Sequence, residues 1–167
     1  MPHQQLAAYL NDHLAGSVIA IRLMVSIEST YGDSADSREI ASIVAGVRRE
    51  VEEDRAVLER IIARAGTSES KARKAAGWFA ERFAQAKMGA DDGGDGAFRL
   101  LESAEVITLG ILGKRGLWRA LHAAADRLPA VRDIDFDALV ARAESQYERM
   151  EVVRLGAARA TLRPVAG

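Results

Sequence analysis

The sequence predicts an all-α single domain: four long helices in an up-and-down bundle, with one short helix between the two hairpins. Three observations carry this. Apolar residues recur at three- and four-residue steps over long intervals. The three prolines, Pro2, Pro129 and Pro164, sit near the chain ends or between those intervals, so nothing inside them forces a helix to stop. No run of alternating apolar and polar residues offers a strand.

The first helix is expected from about Gln4 to Thr30, with Leu6, Leu10, Leu14, Ile21, Met24 and Val25 on one stripe, and Tyr31-Gly32-Asp33 ending it. Ser37 is placed to cap a second helix that carries Ile40, Val44, Val47, Val51, Leu58, Ile61 and Ile62 on one face as far as Gly66. Thr67 or Ser68 opens a short third helix through Trp78, Phe79 and Phe83 to Lys87, followed by a Gly- and Asp-rich loop from Gly89 to Gly96. The fourth runs from about Ala97 to Arg127. Its middle, Val106 to Leu112, is apolar on every side and reads as the most enclosed part of the bundle. Gly110, Gly113 and Gly116 weaken that helix, and close approach by a neighbouring helix is the expected reason for them. After Pro129, Asp133 or Asp135 caps a fifth helix with Phe136, Leu139, Val140, Ala143, Tyr147, Met150 and Val153 as its buried stripe.

A chain of 167 residues, 49% of them hydrophobic, supplies one core, so residues 1–167 are read as one domain. The formal charge of -1 gives no global field for nucleic acid or an acidic membrane. The absence of cysteine excludes disulfides, thiolate metal sites and cysteine nucleophiles. No secretory signal pattern opens the chain. The apolar run Val106–Leu112 falls far short of the roughly 20 residues a membrane span needs. The expectation is a soluble, cytoplasmic protein.

Ionisable residues on the apolar stripes are the informative ones, because an unpaired buried charge costs several kcal/mol and must find a partner. Five stand out: His13, Glu28, Asp54, Lys114 and Arg154. Counting back from a turn near Asp33 sets His13 level with Glu53 and Asp54, and counting around a turn near Val131 sets Lys114 level with Glu148. Two interior ion pairs are therefore expected, His13–Asp54 and Lys114–Glu148, fixing helix register. A functional alternative has His13 and Asp54 converge with Glu50 and with Glu144, Glu148 or Glu151 of the last helix. His122, near a helix C-terminus, is read as complementing the helix dipole in preference to ligation, and His3 lies in the terminus.

Three stretches carry a resemblance: Tyr9-Leu10-Asn11-Asp12-His13-Leu14-Ala15-Gly16, Glu50-Val51-Glu52-Glu53-Asp54-Arg55, and Gly113-Lys114-Arg115-Gly116-Leu117-Trp118-Arg119-Ala120-Leu121. Together they resemble an uncharacterised bacterial family of ferritin-like helical bundles. The resemblance covers most of the chain and implies a ferritin-like four-helix bundle with a short additional helix. Di-iron members of the wider group place one Glu on each of two helices and a Glu-x-x-His on each of the others. Here the residue three before His13 is Leu10, and three before His122 is Arg119. A lysine inside the bundle also repels a cation. The resemblance therefore implies a scaffold without a di-iron centre, its interior occupied by ion pairs.

Other signals are weaker. Gly110-Ile111-Leu112-Gly113-Lys114 lacks the spacing, the Ser or Thr and the preceding strand of a phosphate loop. Ser17, Ser26 and Ser42 have no histidine at a hydrolase-like spacing, and Asp91, Asp92 and Asp95 make no calcium loop. The mixed charges from Arg48 to Arg60 read as a solvated face. The short third helix is basic and amphipathic, with Lys71, Arg73, Lys74, Arg82 and Lys87 beside its aromatic residues. A bundle cap is preferred there over a membrane-surface helix, and nucleic-acid binding ranks last.

The leading expectation is a non-enzymatic bundle, free of cofactor, that acts through contacts with an unidentified protein partner or as a homodimer. The second is a redox or oxygenase enzyme holding iron or manganese through His13, Glu50, Asp54, Glu148 and Glu151. The third is a peripheral membrane module built on the basic helix.

Overall fold

The computed structural model describes residues 2–33, 37–66 and 96–162, and these form four long α-helices with no strand among them. Helix α1 spans Pro2–Tyr31, α2 Arg38–Arg64, α3 Gly96–Ala123 and α4 Phe136–Thr161, with a single 3-10 turn at Pro129–Val131 between the last two. The short third helix expected from Thr67 to Lys87, with its basic and aromatic residues, and the acidic loop after it lie outside the described residues.

Helix ends follow local chemistry. Gly32 terminates α1, since a Cβ there would meet the Glu28 carbonyl oxygen at 2.7 Å, while its own N–H closes the last turn onto that oxygen at 2.9 Å. Ser37 precedes α2 without capping it through its side chain, because its hydroxyl donates back to the Tyr31 carbonyl at 2.8 Å and so ties the α1–α2 turn shut. Gly66, with φ of +64°, takes the left-handed conformation that glycine tolerates best after a helix. Of the two candidate caps for α4, Asp135 does the work: its Oδ1 accepts from the Ala138 N–H at 3.0 Å. Asp133 instead meets Arg64 at 2.6 Å, linking the end of α2 to the turn before α4.

Helix α1 packs on α2 and α3, and α4 packs on α3 and α2. The buried residues fall into two clusters. One joins Met24 and Ile27 of α1, Val44, Val47 and Val51 of α2, Leu100 to Ile111 of α3, and Met150, Val153 and Ala157 of α4. The other joins Leu10, Leu58, Ile61 and Ile62 with Leu117, Trp118, Leu121, Phe136 and Leu139. The N-terminal halves of α2 and α3 therefore share one end of the bundle and their C-terminal halves share the other. Consecutive helices α2 and α3 run parallel, which corrects the expected up-and-down order. The order is up, down, down, up, with both hairpins, α1–α2 and α3–α4, antiparallel.

Two stripe assignments also change. Val25 is 50% exposed and Ile27 takes the buried position on α1. The middle of α3 is enclosed on one side only: Ile107, Thr108 and Ile111 are buried, whereas Leu109 is 68% exposed. A helix at the corner of a bundle has neighbours over part of its circumference, so an apolar run longer than that arc must place some side chains outward. A Cβ added at Gly110, Gly113 or Gly116 meets nothing within 4 Å, so none of the described helices makes the expected close approach there. Helix α1 is long and apolar enough to cross a membrane by length and composition, with 17% of its apolar stretch buried; Leu10, Met24 and Ile27 enter the bundle core and Glu28 is tied to α2.

Candidate functional site

Between the two apolar clusters lies a layer of charge. On α2, Glu50, Glu53 and Asp54 occupy neighbouring positions one turn apart, and on α4, Arg142, Gln146 and Arg149 do the same. The two helices run antiparallel, so acids meet bases: Arg142 Nη1 donates to Glu53 at 3.0 Å and Arg149 Nη2 to Glu50 at 2.5 Å. Deeper in, the Asp54 carboxylate, 1% exposed, accepts from Arg142 Nη2, from Lys114 Nζ of α3, and from Gln146 Nε2 at 3.2 Å. Lys114 also donates to Gln146 Oε1, so the fully buried amide joins both members of the central pair.

The arrangement is compensated: three carboxylates, Glu50, Glu53 and Asp54, face three cations, Lys114, Arg142 and Arg149. Burial pushes the Lys114 amine below its ordinary range, opposed by the charge and hydrogen bond of Asp54 and reinforced by the nearby Arg142 guanidinium. Burial pushes the Glu50 carboxyl up, but the hydrogen bonds from Arg149 and Gln146 and the charges of Arg149 and Arg142 outweigh it, leaving Glu50 below the usual carboxylate range. Desolvating ions costs several kcal/mol each, so such a layer adds little net stability over an apolar one. It makes misaligned helices expensive, because a displaced helix strands a charge in the core.

No known protein family, curated protein or solved structure matches this chain.

Asp54 and Lys114 are brought together, though with each other and not with their expected partners. Arg48, whose guanidinium grips Glu28 at 2.6 and 3.3 Å, marks the side of α2 that faces α1. Asp54 lies six residues further on, about 120° around the helix from Arg48, and so turns inward toward α3 and α4 and away from His13. His13 instead packs edge-on against Tyr9, ring centroids 4.9 Å apart at 81°. Burial lowers its pKa below the ordinary imidazole value, with Asp12 pulling the other way. Glu148 is exposed. It sits two residues, or about 200°, from Gln146, which is why Lys114 meets the amide and not the carboxylate.

The remaining candidates are spread over the surface. Glu144 approaches Arg115 at 3.7 Å, and Glu151 is gripped by Arg154 at 2.6 and 2.9 Å, with Glu105 of α3 at 3.5 Å from the same guanidinium. His122 stacks on Phe136 at 5.6 Å and lies 3.6 Å from Asp137. Thus the set His13, Glu50, Asp54, Glu148 and Glu151 is not gathered into one coordination sphere. Among the described residues no group of three or more His, Asp or Glu side chains is placed to hold one metal ion.

Arg142, Gln146 and Arg149 were not singled out from the sequence. Their signal is present in it: a polar stripe at four- and three-residue steps beside the apolar stripe of α4, complementary in sign to Glu50, Glu53 and Asp54.

Proposed function

We propose that this chain is a non-enzymatic, ferritin-like helical bundle that acts through protein contacts made by the outer side of its α3–α4 hairpin. The observation that carries the reading is where large apolar side chains remain in solvent. Of the seven that do so among the described residues, five belong to the second hairpin or directly follow it: Phe98, Leu109, Val152, Leu155 and Leu162. Helix α2 has none. Large apolar side chains left in solvent mark an interaction face where they gather, and most of them here belong to one hairpin.

The parallel course of α2 and α3, each antiparallel to its own hairpin partner, supports the ferritin-like part of the proposal. The interior supports the non-enzymatic part, because Asp54, the most buried carboxylate, already has two cations and an amide as partners. Three of its roughly four acceptor positions are committed to the fold.

Two measurements test this together. Photo-crosslinking residues placed at Leu109 and Val152 are expected to give protein adducts in cells, and one placed at Glu59 on the outer face of α2 is expected to give none. Metal analysis of protein purified without chelators from iron- and manganese-supplemented cells supplies the opposing arm. Near-stoichiometric metal that both His13→Ala and Asp54→Ala remove would overturn the non-enzymatic reading.

A further inference from the structure

The outer face of α3 has a pattern that fits a second copy of itself. Leu109 stands at its centre, 68% exposed, and Leu112, Gly113 and Gly116 lie within about 60° of it around the helix. The two glycines are exposed, and a Cβ on either would meet nothing within 4 Å, so the smooth surface they create serves no contact among the described residues. Along the edge turned toward α4, charge is segregated. Glu105 lies in the N-terminal half and is loosely held by Arg154 at 3.5 Å, while Arg115 and Arg119 lie in the C-terminal half.

A face that is acidic at one end and basic at the other complements a reversed copy of itself. A two-fold axis perpendicular to α3 and passing beside Leu112 keeps the α4-facing edges of the two copies on the same side. It sets Glu105 of each copy opposite Arg119 of the other. It also seats each Leu109 over the glycine-lined surface near Gly116, a side-chain knob over a backbone hole. We infer that this face of α3 is a self-docking surface on which two copies of the chain pair antiparallel about Leu112. The inference deepens the protein-contact reading above and rests on it by naming the partner as a second copy.

The test is sedimentation analysis of the full chain combined with a charge swap. The wild type is expected to sediment as a dimer that dissociates on dilution. Leu109→Glu is expected to weaken self-association about a hundredfold, the scale of a central contact residue, with the helical circular dichroism retained. Arg119→Glu alone sets like charges together and weakens the dimer, while Glu105→Arg with Arg119→Glu restores it, which a merely structural role for either residue does not produce. Because the chain has no cysteine, Leu112→Cys supplies a single thiol that should form a disulfide with its own copy under mild oxidation. A dimer indifferent to Leu109→Glu and to the swap overturns the α3 surface while leaving the protein-contact reading standing. A wild type that stays monomeric at high concentration overturns self-docking, and the protein-contact reading then stands or falls on the photo-crosslinked adducts alone.

Discussion

Replacing Asp54 by alanine is the sharpest perturbation of the interior. It removes the carboxylate shared by Lys114, Arg142 and Gln146 and leaves two cations facing each other in the core. Deleting one member of a buried ion pair costs about 3–5 kcal/mol, because the other is left buried without compensation. Two features argue for the lower end. Arg142 is 30% exposed and keeps Glu53, and Lys114 is 14% exposed and keeps the Gln146 carbonyl. The expected loss is about 3 kcal/mol, or roughly 6–12 °C in thermal midpoint for a domain of this size. Urea unfolding followed by circular dichroism should show a lower midpoint at unchanged slope. The double substitution Asp54→Leu with Lys114→Met removes both charges and is expected to return within about 1 kcal/mol of the wild type or exceed it. A loss below about 1 kcal/mol for Asp54→Ala, or a double variant as unstable as the single one, refutes the reasoning.

Lys114→Met should cost less than Asp54→Ala, since Asp54 retains Arg142 and Gln146; equal losses in urea titrations would contradict this partition. His13 is held below the ordinary imidazole value of 6.5 by burial, so the unfolded chain takes up a proton there before the fold does. Its contribution to stability is complete above 6.5 and declines as pH falls toward the depressed folded value. His13→Gln should flatten the stability profile in that window, and an unchanged slope would sink the assignment. Gly110→Ala and Gly156→Ala, both at exposed helical positions with nothing within 4 Å of the new methyl, should each add about 1 kcal/mol in the same assay. A decrease for either would reveal a contact not yet accounted for.

The helices were legible because each buries one periodic stripe, and every α2 residue from Val44 to Ile62 assigned to that stripe is buried. What periodicity does not encode is direction. The same stripes on α2 and α3 serve parallel or antiparallel neighbours, and the parallel arrangement emerges only when the two core clusters are compared. The polar layer shows a similar division. Asp54 and Lys114 stood out as charges on apolar faces, but counting from a turn sets the level along a helix and not the rotation about it. That is how Asp54 came to be matched with His13. Gln146 carries no charge to mark it in the sequence, though it bonds to both members of the central pair. Leu109 was misread for another reason: hydropathy marks a side chain as apolar without saying which way the corner of a bundle turns it.

The polar layer also bears on how halves of this molecule recognise one another. Every acid in it, Glu50, Glu53 and Asp54, belongs to the first hairpin, and every base, Lys114, Arg142 and Arg149, to the second. Two first hairpins brought together would bury acid against acid, and two second hairpins base against base. Only unlike halves neutralise each other. The seam that unites the bundle thus discriminates between its halves, since only an acidic first hairpin matches the basic inner side of the second.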